Sequence, residues 1–192
     1  MSNMQLWLVR HGETAWSASG RHTSRTDLDL TEAGEQAARD LRPRLAGISF
    51  ARVLSSPLLR ARRTAVLAGH AGPEIVEDLR EWDYGTDEGL TTPEIRESRP
   101  GWTVWDDGPA GGESSSDIGR RADRLIDGLR VGEGPVLAFC HGHVARVVGA
   151  RWVGLEVAAG AHLLLSTASI SVLGWERDTP ALRHWNYTGS LD

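Results

Sequence analysis

Two short apolar runs in this 192-residue chain end on histidine. Gln5-Leu6-Trp7-Leu8-Val9 leads into Arg10-His11-Gly12, and Val136-Leu137-Ala138-Phe139-Cys140 leads into His141-Gly142-His143. An imidazole is a nucleophile and proton carrier near neutral pH. A guanidinium matches phosphate oxygens through paired hydrogen bonds. A third run, Arg52-Val53-Leu54-Ser55, continues through Ser56 and Pro57 into a helix expected to carry Arg60 in its first turn. Free amide N–H groups and the helix dipole favour an anion there. If the three runs are parallel strands of one open sheet, a ligand sits in the crevice beyond their carboxyl ends. Arg10, His11, Arg60, His141 and a helix N-terminus then converge on a pocket suited to phosphate. A lone histidine at a strand end is more often structural than catalytic. Two of them, one behind an arginine, strengthen the catalytic reading without excluding the other.

The elements that must position these residues alternate between apolar runs and helical patterns, the mark of an α/β domain with a largely parallel sheet. Ala33, Ala37, Ala38, Leu41 and Leu45 form a helical stripe behind Thr31, an expected N-cap, and Pro43 is expected to kink or shorten that helix. Pro57 is expected to open a helix running towards Gly69. Ser114-Ser115-Ser116 caps an amphipathic helix with Ile118, Ala122, Leu125, Ile126 and Leu129 on one face. A helix is predicted from about Val144 to Val153, a strand from Ser169 to Trp175 and a short edge strand from Leu182 to Trp185. From Glu74 to Glu113 the pattern is irregular and rich in Gly, Pro and acids, as expected of a loop region over a site.

Composition narrows the classes. Hydrophobic content of 40% and charged content of 24% fit a globular domain. No run of about 18 apolar residues marks a membrane span, and Met1-Ser2-Asn3-Met4 lacks the basic-then-apolar pattern of a secretion signal. The single cysteine, Cys140, suits a reducing cytoplasm. A net charge of −5 gives no broad basic face for nucleic acid. All 21 basic residues are arginine, so chemistry that needs an amine side chain is excluded. Of the eight tryptophans, Trp102 and Trp105 lie in the Gly/Pro-rich stretch, where they are placed to line a cleft.

Arg10-His11-Gly12-Glu13-Thr14 resembles the RHGE/RHGET motif of the histidine phosphatase superfamily, which includes the cofactor-dependent phosphoglycerate mutases. The likeness continues in family order through Leu30-Thr31-Glu32-Ala33-Gly34, Ser55-Ser56-Pro57-Leu58-Leu59-Arg60-Ala61, Leu79-Arg80-Glu81 with Gly85 and Glu88-Gly89, Gly112-Glu113-Ser114, and His141-Gly142-His143. The resemblance implies one domain over residues 1–192, with a cap or loop region at about 74–116. The implied fold is a three-layer α/β sandwich with a mostly parallel central sheet flanked by helices. It also implies that His11 attacks phosphorus, that Arg10, Arg60 and His141 hold the phosphoryl oxygens, and that Glu81 protonates the departing oxygen and later activates water. Glu88 is expected to buttress the loop. A carboxyl acid needs its pKa raised, which a bound phosphate dianion does, so activity is expected to favour mildly acidic pH. Ser17, Arg21, His22, Thr23, Tyr84 and Gly142 are the implied substrate positions, with Arg96, Arg99 and Trp102 as further ones. No metal or cofactor is expected.

This chain departs from many members of that family in carrying Ser17 in place of asparagine and Gly20-Arg21-His22-Thr23-Ser24 in place of a glutamine-glycine segment. Serine still offers a hydrogen bond of shorter reach. Thr23 and Tyr84 look like mutase residues, yet the long insertion, lysine and paired arginines of the mutases are missing, which favours hydrolysis over transfer. Arg120-Arg121 is expected on a solvated helix. Arg21-His22-Thr23 with Ser17 resembles the branch that contains sedoheptulose and other sugar-phosphate phosphatases. The expected partner is a small phosphorylated metabolite, and a homodimer is left open. Rival readings are phosphoglycerate mutase-type transfer, a silent phosphoprotein-binding module, a cysteine phosphatase on Cys140-x5-Arg146, an aspartyl-phosphate site at Asp27-Leu28-Asp29, and a zinc site at His141-x-His143.

Overall fold

β1 (Gln5–Arg10) sends alternate residues to opposite faces, because successive strand side chains point opposite ways. It lies between β4 (Pro135–Cys140) and β5 (Ile170–Glu176) in a six-stranded sheet. With β2 (Arg52–Ser55), β3 (Glu74–Ile75) and β6 (Thr179–Tyr187), the order is β3-β2-β4-β1-β5-β6. The first four strands are parallel to their neighbours, whereas β5 runs antiparallel to β1 and β6 antiparallel to β5. The expected mostly parallel sheet is present, with a hairpin closing one side. This computed structural model describes residues 4–189; Met1, Ser2 and Asn3, read above for a leader, lie outside the described residues.

Helices cover both faces and make three layers. α2 (Glu32–Leu45) and α3 (Leu59–Leu67) pack Leu41, Leu45, Ala61 and Ala65 against Val9, Leu137, Phe139, Ile170 and Val172. α5 (Ser115–Arg130) and α6 (Gly142–Trp152) pack Ile118, Ala122, Ile126, Val144 and Val148 against Leu6, Leu8, Val136, Ala138 and Cys140. Each fully buried leucine or isoleucine contributes about 1.5–3 kcal/mol by leaving water, so the alternation along β4 decides how both layers attach. Among the described residues, no helix is long and apolar enough to cross a membrane.

The register carries the histidines. Arg10 pairs with Cys140, so the residues one step further, His11 and His141, leave the sheet side by side. Ser55 pairs with Phe139, which sets Ser56 next in that row.

Several expectations need correction. α2 is capped by Thr31, but it runs on to Leu45 through Pro43. In the last turn a proline deprives only one earlier carbonyl of its partner. α3 begins at Leu59, two residues after Pro57. Residues 74–113 are also more regular than their composition suggests. They hold β3 and α4 (Thr92–Ser98), closed by a capping box between Thr91 and Glu94. The Thr-x-x-Glu spacing was the available signal. A four-residue helix, α1 (Ala15–Ala18), likewise follows a capping box between Thr14 and Ser17.

Candidate active site

His11 is buried one residue past β1, with its backbone N–H on Cys140 O at 3.0 Å. Its Nδ1 lies 2.7 Å from Gly12 O. A carbonyl oxygen only accepts, so Nδ1 carries the hydrogen and the neutral ring presents a lone pair at Nε2. Burial first, then the positive charges of Arg60 and Arg10, hold the His11 pKa well below the ordinary histidine value. The loop is fixed from below. Gly12 N–H donates to Thr64 Oγ1 at 3.0 Å, and Thr31 N–H donates to Glu13 O at 2.9 Å. A Cβ on Gly34 would stand 2.1 Å from Glu13 O, so glycine is what lets the start of α2 press against the His11 loop.

Behind His11 lies a fully buried pair. Arg60 Nε donates to His141 Nδ1 at 3.1 Å, which makes Nδ1 the acceptor and leaves the Nε2 hydrogen for Ser56 Oγ at 2.7 Å. Burial and Arg60 push the His141 pKa well down, so this ring too is neutral. The His11 and His141 ring centres are 5.2 Å apart. The remaining Arg60 nitrogens donate to the carbonyls of Thr23, Ser24 and Thr26. The anion site expected at the N-terminus of α3 is taken by the protein itself: Asp27 Oδ1 accepts from Leu59 N–H at 2.7 Å.

The N-terminus of α6 is filled in the same way. The Glu81 carboxylate accepts from His143 N–H at 3.0 Å, Val144 N–H at 2.8 Å and its neighbour Trp82 N–H at 2.9 Å. The chain on either side of Glu81 is clamped from α5. Arg121 forms a bidentate pair with Glu113, at 2.9 and 2.7 Å, and its Nη1 donates to the carbonyls of Asp78 and Arg80 at 2.8 Å each. Glu113 in turn donates its N–H to Asp83 O at 2.9 Å and accepts from Trp82 Nε1 at 2.7 Å. Arg121 is therefore not the solvated residue expected from sequence. The i, i+8 pairing with Glu113 joins a loop to the inner face of a helix, which spacing alone does not reveal.

These groups border a cleft of ≈ 420 Å³ lined by Arg10, His11, Glu81, Gly142 and all five of the other implied substrate positions. Arg60 and His141, both fully buried, are not among its lining residues. Arg10 anchors Nη1 on Leu165 O at 2.5 Å while its buried Nε has no partner. A Cβ on Gly142 would come 3.4 Å from that Nε, so the chain at Gly142 passes close beside Arg10.

The model of the histidine phosphatase superfamily (branch 1) matches residues 6–188. The chain belongs to that superfamily. It is 43% identical over 192 residues to a protein of Mycobacterium tuberculosis named acid phosphatase, covering 97% of this chain and 94% of the relative. It is 37% identical over 183 residues to the sedoheptulose 1,7-bisphosphatase of Saccharomyces cerevisiae, covering 78% and 68%. A solved structure from a Mycobacterium tuberculosis open reading frame superposes with a TM-score of 0.92 at 41% identity, over 98% of this chain and 100% of that one. A mycobacterial glucosyl-3-phosphoglycerate phosphatase in complex with VO3 gives 0.85 at 29%, over 95% and 98%. Family and relatives make this protein an enzyme, a hydrolase of the phosphatase class.

Within this histidine phosphatase the implied substrate positions differ in how free they are. The Ser17 hydroxyl donates to Thr14 O at 3.1 Å and accepts from Thr14 N–H at 2.8 Å, so its hydrogen is already committed. Arg21 is tied to Gly89 O and to Glu94, and the Thr23 hydroxyl to Arg21 O. His22 lies over Tyr84, with ring centres 4.7 Å apart, and meets Thr92 Oγ1 at 3.3 Å. Trp102 and Arg96 reach the cleft as expected, as does Trp105. Arg99 does not line it; it pairs with Asp87 and lies over Trp102. Glu88 staples the 24–26 turn through Ser24 and Thr26, and these hydrogen bonds outweigh burial and hold its carboxyl below the usual range. Two further lining residues, His143 and Arg146, entered the sequence reading as parts of rival sites and not as substrate positions. His143 meets the Tyr84 hydroxyl at 2.6 Å, and Arg146 lies over Trp105.

The cysteine-phosphatase, aspartyl-phosphate and zinc readings find no support in the geometry. Burial pushes the Cys140 thiol up, and Arg146 points to Gly160 O and Ala161 O. Asp27 caps a helix. Among the described residues, no group of three or more His, Cys, Asp or Glu side chains is gathered to hold a metal ion.

Proposed function

We propose that this enzyme hydrolyses small phosphorylated metabolites, sugar phosphates or compounds like them, through a phosphohistidine at His11. In the first step Nε2 of His11 attacks phosphorus, the P–N bond forms as the ester P–O bond breaks, and Glu81 gives its proton to the departing oxygen. In the second, water attacks phosphorus, the P–N bond breaks, and Glu81 takes the proton back. One hard displacement becomes two easier ones. Arg10 stabilises the charge in transit from the cleft wall, and Arg60 and His141 do so from their buried positions, where a dry surrounding strengthens every interaction. The neutral imidazole of His11, oriented by Gly12 O, is the observation that carries this reading. The cleft size suits a compact ester. Residues 1–192 act as one domain in this reading, with 74–116 as its cap, in the cytoplasm, where the free thiol of Cys140 stays reduced.

Rapid quenching with a 32P-labelled ester should trap an acid-labile, base-stable label on His11, and His11→Ala should lose both label and turnover. Turnover that survives His11→Ala overturns the mechanism.

A further inference from the structure

Glu81 borders two cavities. One is the cleft that holds His11, and the other, of ≈ 690 Å³, is walled by Ser24, Arg25, Leu58 and the 77–83 segment. No other described residue is common to the two linings. The second cavity reaches solvent beside the exposed side chains of Arg25 and Glu77. Glu81 itself is held at the start of α6 by three amides, with 6% of its side chain exposed. A single residue therefore parts bulk water on one side from the reacting atoms on the other.

The second cavity has polar walls and no spare charge. Arg25 pairs with Asp83, Arg80 with Glu77, Arg121 with Glu113, and Asp78 with Arg124 of α5. Such a space has nothing unmatched to hold an ionic ligand, and its polar groups suit water.

The in-line geometry of phosphoryl transfer gives that water a use. In the mechanism proposed above, the leaving oxygen and the attacking water occupy the same place, opposite the P–N bond and beside Glu81, because attacking and leaving atoms stand in line at phosphorus. After the first step the alcohol lies between that place and the rest of the cleft. Water drawn from the cleft must wait until the alcohol has gone. Water that arrives past Glu81 needs the alcohol only to draw back.

We propose that the second cavity is the water inlet for the hydrolytic step. A water molecule passes Glu81 to the phosphohistidine, and its oxygen bonds to phosphorus. The P–N pair returns to Nε2 of His11, and the proton of the water goes to Glu81. The inference rests on the phosphatase reading and adds to it the path of the second substrate.

A plug of graded size tests the inlet. Cys140 is fully buried and its thiol is pushed up, so a cysteine placed at the mouth of the second cavity can be modified alone. Arg25→Cys and Glu77→Cys suit this, because each gives up only an exposed ion pair of little worth. Each variant is treated with methyl or benzyl methanethiosulfonate. The two steps are then timed separately by rapid quenching with 32P-labelled p-nitrophenyl phosphate. The benzyl group should slow the loss of label from His11 by about tenfold or more, and the methyl group should slow it less. Release of nitrophenol in the first turnover should keep its rate with either. Label loss unchanged by the benzyl group at both positions, or first-turnover release that slows as much as label loss, overturns the inlet. In either event, label that forms on His11 of the wild-type enzyme leaves the phosphohistidine mechanism standing. If no label forms there, both fall.

Discussion

The chemistry at the residue scale depends on keeping two imidazoles unprotonated beside two guanidiniums. His11 has its single hydrogen fixed on Gly12 O, and His141 has its hydrogen fixed on Ser56 Oγ, because Arg60 occupies the opposite nitrogen. Neither ring can take a second proton without facing a cation in a dry site, so the proposed nucleophile keeps its lone pair in acid. Glu81, the group that moves a proton in the mechanism we propose, is positioned by three amide donors. Proton donation matters most when the leaving oxygen is a poor leaving group. Glu81→Gln should therefore slow hydrolysis of propyl phosphate by about a hundredfold or more, and that of p-nitrophenyl phosphate much less. Steady-state rates on the two esters check this, and equal losses would remove Glu81 from the acid role.

At the scale of elements, each group of the proposed mechanism is held by a neighbouring segment. The start of α2 presses on the His11 loop through Gly34, Ser56 beyond β2 holds His141, and α5 clamps the Glu81 turn. The Arg121–Glu113 pair is largely buried, with 11% and 16% of the two side chains exposed. Truncating Arg121 frees the carbonyls of Asp78 and Arg80 and leaves Glu113 unmatched. Arg121→Ala should cost about 2–3 kcal/mol of stability, a discounted value for a partly buried pair. It should also lower kcat more on propyl phosphate than on p-nitrophenyl phosphate, because a misplaced Glu81 fails first where the acid is needed. A uniform loss on both esters would reduce the pair to scaffolding.

For the whole molecule, the buried histidines tie stability to pH. The folded-state pKa values of His11, His141 and His143 are all driven well below the ordinary value, chiefly by burial. An unfolded chain protonates its histidines near pH ~6.5, so below that pH it binds more protons than the folded protein does. Stability must then fall as the pH falls. The melting temperature should decline between about pH 7.5 and pH 5, before Glu88 and Asp87, whose carboxyls are held low, begin to add to the loss. A melting temperature that is flat or rises over that range would show the rings to be hydrated or charged.

The sequence by itself determined the strands that end in His11, Ser56 and His141, the helices that cover them, and the family motifs in their order. Those features depend on periodicity and on residue type within a few neighbours, which local physics reads well. Tertiary structure alone decided which polar groups neutralise one another. Asp27 at the start of α3 and Glu81 at the start of α6 join segments far apart in the chain, and Arg121 meets Glu113 across the turn that opens α5. A charge acts through distance and burial, and neither is written in the spacing of residues along a chain.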